Sequence, residues 1–153
     1  AAPEAPIPAG IQLVDARAVA FDRLAEYDRR FFPARRDAFL SGWIGLPGRH
    51  AVVALRDGRI EGLAAVRPAV GPARLGPLYA ATPAIAATLV GAVARQAKVN
   101  AVALDVPDRN PAATALAQSL GLRPAFETAR MYTAGAPDID TAGLFGVTSL
   151  ELG

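Results

Sequence analysis

Apolar and polar positions switch between a twofold and a 3.6-fold period along the chain, and the switches predict its elements. Residues 11–14 form a short apolar stretch suited to a strand. After Asp15, Phe21, Leu24 and Ala25 share one face of a helical pattern over 18–30. Phe32-Pro33 breaks that pattern, and a second short helix is expected from Pro33 through Phe39 to Trp43, before a loop at Gly45, Pro47 and Gly48. Two apolar runs, 50–56 and 59–67, flank Asp57-Gly58. That dipeptide suits the two positive-φ positions of a type I′ turn, so a hairpin is expected. Residues 74–80 read as the next strand, but contain Gly76-Pro77. Proline donates nothing to a ladder, so the strand must meet an edge, a bulge or a gap there.

The second half repeats one kind of helix start. Thr82-Pro83 and Asn110-Pro111 each place a capping side chain before proline at the first helical position. Ile85, Leu89, Val93 and Ala97 give the first of these helices an apolar face through to Lys98. Ala113, Leu116, Ala117 and Leu120 line the second, with Gly121 as its expected terminal glycine. Residues 101–106 between them read as a buried strand, 123–132 as another, 134–142 as a polar connection and 145–152 as a last strand. A β-α-β unit needs a parallel pair and the hairpins an antiparallel one. The expected fold is therefore α/β: a mixed sheet of six to seven strands flanked by about four helices.

Composition narrows the chemistry. Hydrophobic residues make up 52% of the 153 and charged residues 20%, which suits a globular core over 11–153. There is no cysteine and one histidine, His50, so thiolate chemistry, Cys-ligated metals and multi-His sites are excluded. No metal site is expected. Polar residues or proline interrupt every apolar run before a membrane span, and no membrane contact is expected. The 16 basic residues, all arginine except Lys98, are interleaved with 14 acidic ones. Nucleic-acid binding would need a basic stripe with stacking aromatics, so no nucleic-acid partner is expected. Abundant Ala, Gly, Pro and Arg reflect a bacterial-like base composition. The sequence begins at Ala1, with Pro3, Pro6, Pro8 and Gly10 among alanines, and residues 1–10 are expected to be a linker or tail. A stub left by signal cleavage and an interdomain linker both fit; the linker is preferred, and a cytoplasmic location with it.

The element order over 11–153 resembles that of the GNAT superfamily of acetyl-CoA-dependent N-acetyltransferases. Asn110-Pro111-Ala112-Ala113, then Leu116 and Gly121-Leu122, is similar to the family's fourth-helix pattern. Gly76-Pro77-Leu78-Tyr79, 128–132 and 145–148 resemble the C-terminal halves of tandem GNAT proteins. The resemblance implies that strands 74–80 and 101–106 splay apart and admit the pantetheine arm of acetyl-CoA. The implied cofactor contacts are Leu78, Tyr79, Ala80, Thr82, Ala84, Ile85, Ala86, Asn110 and Ala113.

Two departures bear on chemistry. The family's pyrophosphate loop, [Gln/Arg]-x-x-Gly-x-[Gly/Ala], lets backbone N–H groups at a helix start cradle phosphate. Here it reads Ala81-Thr82-Pro83-Ala84-Ile85-Ala86, and only Ala86 conforms. Weak binding of coenzyme A is expected. Where many relatives carry a tyrosine as general acid this chain has Ala117, leaving Tyr79 as a surrogate acid and Asp105 as the carboxylate available for a base. Asp105 is also read, more plainly, as a loop cap, His50 as a loop histidine, and Trp43 as a helix-end core residue. Asp28 with Arg29-Arg30, and Arg35-Arg36 with Asp37, read as solvated helical faces.

Two functions follow. One is an N-acetyltransferase domain in which an amine attacks the thioester directly. The alternative is a degenerate, non-catalytic GNAT half that shapes the acceptor pocket of a preceding catalytic GNAT domain, or dimerises. The acceptor, a small-molecule or peptide amine, is not legible in these residues.

Overall fold

The computed structural model describes residues 5–151. Among them the chain forms a mixed α/β fold of six strands and four helices. The order is β1 (Gln12–Asp15), a 3-10 turn (Ala16–Ala18), α1 (Phe21–Asp28), α2 (Asp37–Gly45), β2 (His50–Arg56), β3 (Arg59–Arg67), β4 (Ala73–Ala80), α3 (Pro83–Ala97), β5 (Val102–Leu104), α4 (Pro111–Ser119) and β6 (Leu144–Gly146). The sheet runs β1-β2-β3-β4-β5; β1 to β4 are antiparallel neighbours, and β5 is parallel to β4.

Local signals place several elements where the sequence predicts them. Asp57 and Gly58 have φ of 49° and 75°, the type I′ hairpin geometry, and the strands they join pair from His50↔Val66 to Arg56↔Arg59. The Thr82 hydroxyl accepts from Ile85 N at 3.3 Å, and Asn110 Oδ1 accepts from the amides of Ala112 and Ala113. Each cap satisfies donors that a helix start otherwise leaves open.

Alternation along the strands sorts side chains into two cores, one on each face of the sheet. Ala51, Val53, Leu63, Ala65 and Tyr79 face α1 and α2, where Leu24, Leu40 and Trp43 are buried. Val52, Ala54, Ala64, Leu75 and Leu78 face α3 and α4 and pack on Ile85, Leu89, Val93 and Leu116. No helix among the described residues is long and apolar enough to cross a membrane.

The structure departs from the sequence pattern in the last third. Residues 123–132, predicted as a strand, carry no regular structure, and the stretch is exposed, with Phe126, Met131 and Tyr132 open to solvent. A strand needs a partner edge as well as a suitable sequence, and these residues pair with nothing in the sheet. The last strand is Leu144–Gly146 and not the full 145–152. Residues 1–4 of the expected linker lie outside the described residues. Residues 5–10 contain no helix or strand but are tied down: Thr88 Oγ1 donates to the carbonyl of Pro6 and Arg56 to that of Ala9, both at 3.0 Å.

Candidate functional site

β4 and β5 pair over only three residues, Ala73↔Val102, Arg74↔Ala103 and Leu75↔Leu104, and then part. The parting begins at Gly76-Pro77. On the other edge of β4 the register with β3 runs from Leu75↔Val66 to Leu78↔Ala64, so Gly76 and Pro77 stand opposite Ala65 alone, a bulge. The proline thus sits where the ladder is broken on both sides.

The gap between β4 and β5 is filled by the chain itself. β6 lies along β4 in antiparallel register, with Leu78↔Gly146 and Tyr79↔Leu144. Ala80 N donates to the carbonyl of Gly143 at 2.9 Å, and Val147 N donates to that of Asp105 at 3.0 Å, closing the wedge from the β5 side. The inserted segment fits because glycine stands at its tightest points. A Cβ on Gly76 would press on the carbonyl of Val147 and lie 2.6 Å from that of Thr148, while one on Gly146 would meet Leu104 and lie 3.2 Å from Leu78 Cβ. Asn110 fastens the segment to α4: its Nδ2 donates to the carbonyls of Ala142 and Leu144, at 3.0 and 2.9 Å.

A buried polar cluster anchors the segment on the opposite face. Arg36, just before α2, makes a two-pronged ion pair with Asp28 at the end of α1, both bonds 2.7 Å. Their side chains are only 9% and 2% exposed. Arg36 Nη2 also donates to the Tyr79 hydroxyl and to Thr148 Oγ1, each at 3.0 Å, and Tyr79 in turn donates to Asp28 Oδ1 at 3.0 Å. The guanidinium lies over Phe32, 4.0 Å from its centroid, and Tyr79 stacks on Phe31 at the same separation. Burial, reinforced by the charge of Asp28, pushes the Tyr79 phenol well above the usual range. Asp28 and Arg36 are therefore not the solvated charges that the sequence suggests; Arg35 and Asp37 do form an exposed pair. Sequence spacing gave no sign of the Asp28–Arg36 partnership, because the break at Phe32-Pro33 folds the two together from different helices.

The sequence-predicted residues distribute around this filled wedge. Leu78, Tyr79 and Ala80 lie on the β4 edge that β6 covers. Thr82 and Ala84 are exposed at the start of α3, while Ile85, Ala86 and Ala113 are buried in the core beneath α3 and α4. The polar atoms of Asn110 are all engaged with the chain. Asp105 is half-buried just beyond β5, with its carbonyl holding Val147. Tyr79 and Asp105 are not brought together: the Tyr79 hydroxyl points into the Asp28–Arg36 cluster on the α1/α2 face. Trp43 is a buried helix-end residue whose Nε1 donates to the carbonyl of Gly76 at 2.8 Å. His50 is half-buried at the start of β2, opposite Val66. Among the described residues no group of three or more His, Asp or Glu side chains is placed to hold a metal.

A mixed sheet whose parallel pair splays beside a strand–helix unit is the architecture of the acetyl-CoA-dependent acyltransferases. The acetyltransferase (GNAT) domain model matches residues 24–146, and the chain belongs to that family. It is 28% identical over 147 residues to the holothin acyltransferase of Pseudoalteromonas sp. (strain SANK 73390), covering 95% of this chain and 49% of that protein. A putative acetyltransferase from Pyrococcus horikoshii superposes with a TM-score of 0.74 at 19% identity, over 98% of this chain and 49% of that one. The aminoglycoside N-acetyltransferase AAC(6')-Iy, solved in complex with CoA, gives 0.61 at 16% identity over 82% and 94%. This chain spans about half the length of the first two.

The residues present do not offer an acyl-CoA the setting that the family resemblance implies. Pantetheine would need the free edge of β4, and the chain's own backbone holds that edge at Leu78, Tyr79 and Ala80. At the start of α3, Pro83 lacks an amide hydrogen and Ala84 carries a Cβ where a phosphate would approach.

Proposed function

We propose that this domain is the non-transferring half of a GNAT acyltransferase, a packing partner for a companion domain of the same family that carries the acetyl-CoA and the chemistry. One observation carries the reading: residues 143–147 occupy the gap between β4 and β5 and take up hydrogen bonds that pantetheine would otherwise make. Five things support it. The phosphate loop has lost its glycine, and Ala117 has no proton to give. The Tyr79 hydroxyl is committed to a buried ion pair. Residues 123–132, exposed and without regular structure inside a compact domain, offer Phe126, Met131 and Tyr132 to a neighbour. The two relatives first compared are about twice as long as this chain.

In this reading residues 1–10 are the linker to the companion domain, and the whole protein works in the cytoplasm on an amine acceptor. The names of the relatives, a holothin acyltransferase and an aminoglycoside N-acetyltransferase, support an amine of a small molecule. The second reading, direct acetylation of an amine by this domain, is favoured by its family membership. It requires residues 143–147 to withdraw.

Calorimetric titration with acetyl-CoA separates the two. The first reading expects no saturable heat for this chain at sub-millimolar concentrations, and one bound acetyl-CoA per molecule for a polypeptide that also contains a complete GNAT domain. One-to-one binding to this chain alone, with amide shifts at Leu78 and Ala80, would overturn it.

A further inference from the structure

At the end of the sheet opposite the start of α3, three arginines stand in one row: Arg49 just before β2, Arg67 at the end of β3 and Arg74 near the start of β4. Arg67 and Arg74 are direct partners in the β3–β4 ladder, and Arg49 immediately precedes His50, whose partner is Val66. The register thus sets Arg49 beside Arg67 and Arg67 beside Arg74. Facing residues on neighbouring strands point to the same side of a sheet, so the row shares one face. Trp43 supports it from below: the guanidinium carbons of Arg49 and Arg67 lie 4.5 and 5.4 Å from the indole centroid.

Such a row is electrostatically unfavourable as it stands. Like charges directly opposite in a ladder repel. Among the described residues none of the three arginines has a carboxylate within ion-pairing distance. Glu151, which is exposed, feels the charges of both Arg67 and Arg74. Burial and the charge of Arg67 hold Arg49 below the usual arginine range. Arg67 Nε is buried and has no hydrogen-bond partner among the described residues. An unmet donor on a charged group is costly unless something answers it. All three side chains remain partly open to solvent. Arg17 adds a fourth cation at this end, through its bond to the carbonyl of Arg49 at 2.9 Å.

We infer that the Arg49–Arg67–Arg74 row on Trp43 is a binding site for a multiply charged oxyanion of the phosphate-monoester class. Planar guanidinium forks fit the tetrahedral oxygens of phosphate, and three cations against one exposed acid suit a dianion better than a lone carboxylate. The row is separate from the helix start at Thr82. Arg74 and Ala80 are six residue steps apart along β4, about 20 Å of strand. The inference does not depend on whether the β4–β5 gap admits an acyl-CoA.

Trp43 is the chain's only tryptophan, so its fluorescence reports the site directly. The probe is inorganic phosphate, titrated against sodium chloride at matched ionic strength, with succinate as a dicarboxylate arm. Phosphate should change the emission along a saturating curve in the low-millimolar range, whereas chloride should not. Arg67→Met, which keeps an apolar stem over the indole, should weaken the phosphate response at least tenfold. Arg74→Gln, at a half-exposed strand start, should weaken it several-fold and serves if the first variant does not fold. Arg59→Ala, on the distant hairpin, should leave the curve unchanged. Phosphate and chloride curves that coincide would overturn the inference. So would variants that titrate like the parent, or succinate saturating at lower concentration than phosphate.

Discussion

Gly76→Ala tests the filled wedge directly. The added Cβ would lie against the carbonyls of Val147 and Thr148, and backbone has little freedom to retreat. The chain has two ways to respond. It can absorb the crowding, at about 1–3 kcal/mol for an overpacked site. Or it can release residues 143–148 from the gap, which exposes Leu144, Phe145 and Val147, now 5%, 1% and 8% exposed. At roughly 1.5–3 kcal/mol for each such side chain, release costs about 5–9 kcal/mol before any hydrogen bond is counted. Absorption is the cheaper response, so the variant should stay folded with the gap still closed. Urea unfolding should show a loss of about 1–3 kcal/mol, and the melting temperature should fall by about 3–10 °C for a domain of this size. Calorimetry with acetyl-CoA should remain silent. A variant as stable as the parent would refute the close packing, and one that gained acetyl-CoA binding would refute the ranking of the two responses.

Three further outcomes follow from the site. Asp28→Asn leaves the Arg36 guanidinium buried without its counter-charge and should cost about 3–5 kcal/mol by urea unfolding, more than Tyr79→Phe, which deletes a hydroxyl for about 1–3 kcal/mol; equal costs would speak against a coupled ion pair. Burial raises the phenols of Tyr27 and Tyr79 above the ionisation near pH 10 of an unfolded tyrosine, so above about pH 10 the unfolded chain sheds protons that the folded chain keeps. Their contribution to stability should be complete below that pH and decline as pH rises further, and melts between pH 9 and 11.5 should fall less steeply for Tyr79→Phe than for the parent. Combining Ala81→Arg with Ala84→Gly restores the family's phosphate-loop residues and should bring no acetyl-CoA binding by calorimetry, because the edge of β4 stays covered; a clear gain would mean that the loop alone blocks the ligand.

The fold was legible wherever a signal was local. Asp57-Gly58 requires only its own backbone to make a turn, and Thr82 and Asn110 need only the next three residues to cap a helix. Pro77 announced a broken ladder for a reason internal to proline, and the bulge and the parting of β4 from β5 both occur there. Decisions that depend on distant partners were not legible. Residues 123–132 have strand-like composition, but composition does not supply an edge to pair with. Residues 143–147 look like any terminal strand, and nothing in them says which gap they enter. Asp28 and Arg36 resemble surface charges in the one-dimensional pattern; only the packing of α1, α2 and β4 shows that each is the other's solvent.

Asn110 joins two jobs that are usually separate. The same side chain starts α4 and holds the carbonyls of Ala142 and Leu144, while Arg36 donates to Thr148 Oγ1 and Gly76 leaves room for the carbonyls of Val147 and Thr148. With these clasps acting together, undoing any one leaves the rest in place. A single substitution would therefore loosen the insert without vacating its berth, and opening a cleft in this sheet would take several coordinated changes.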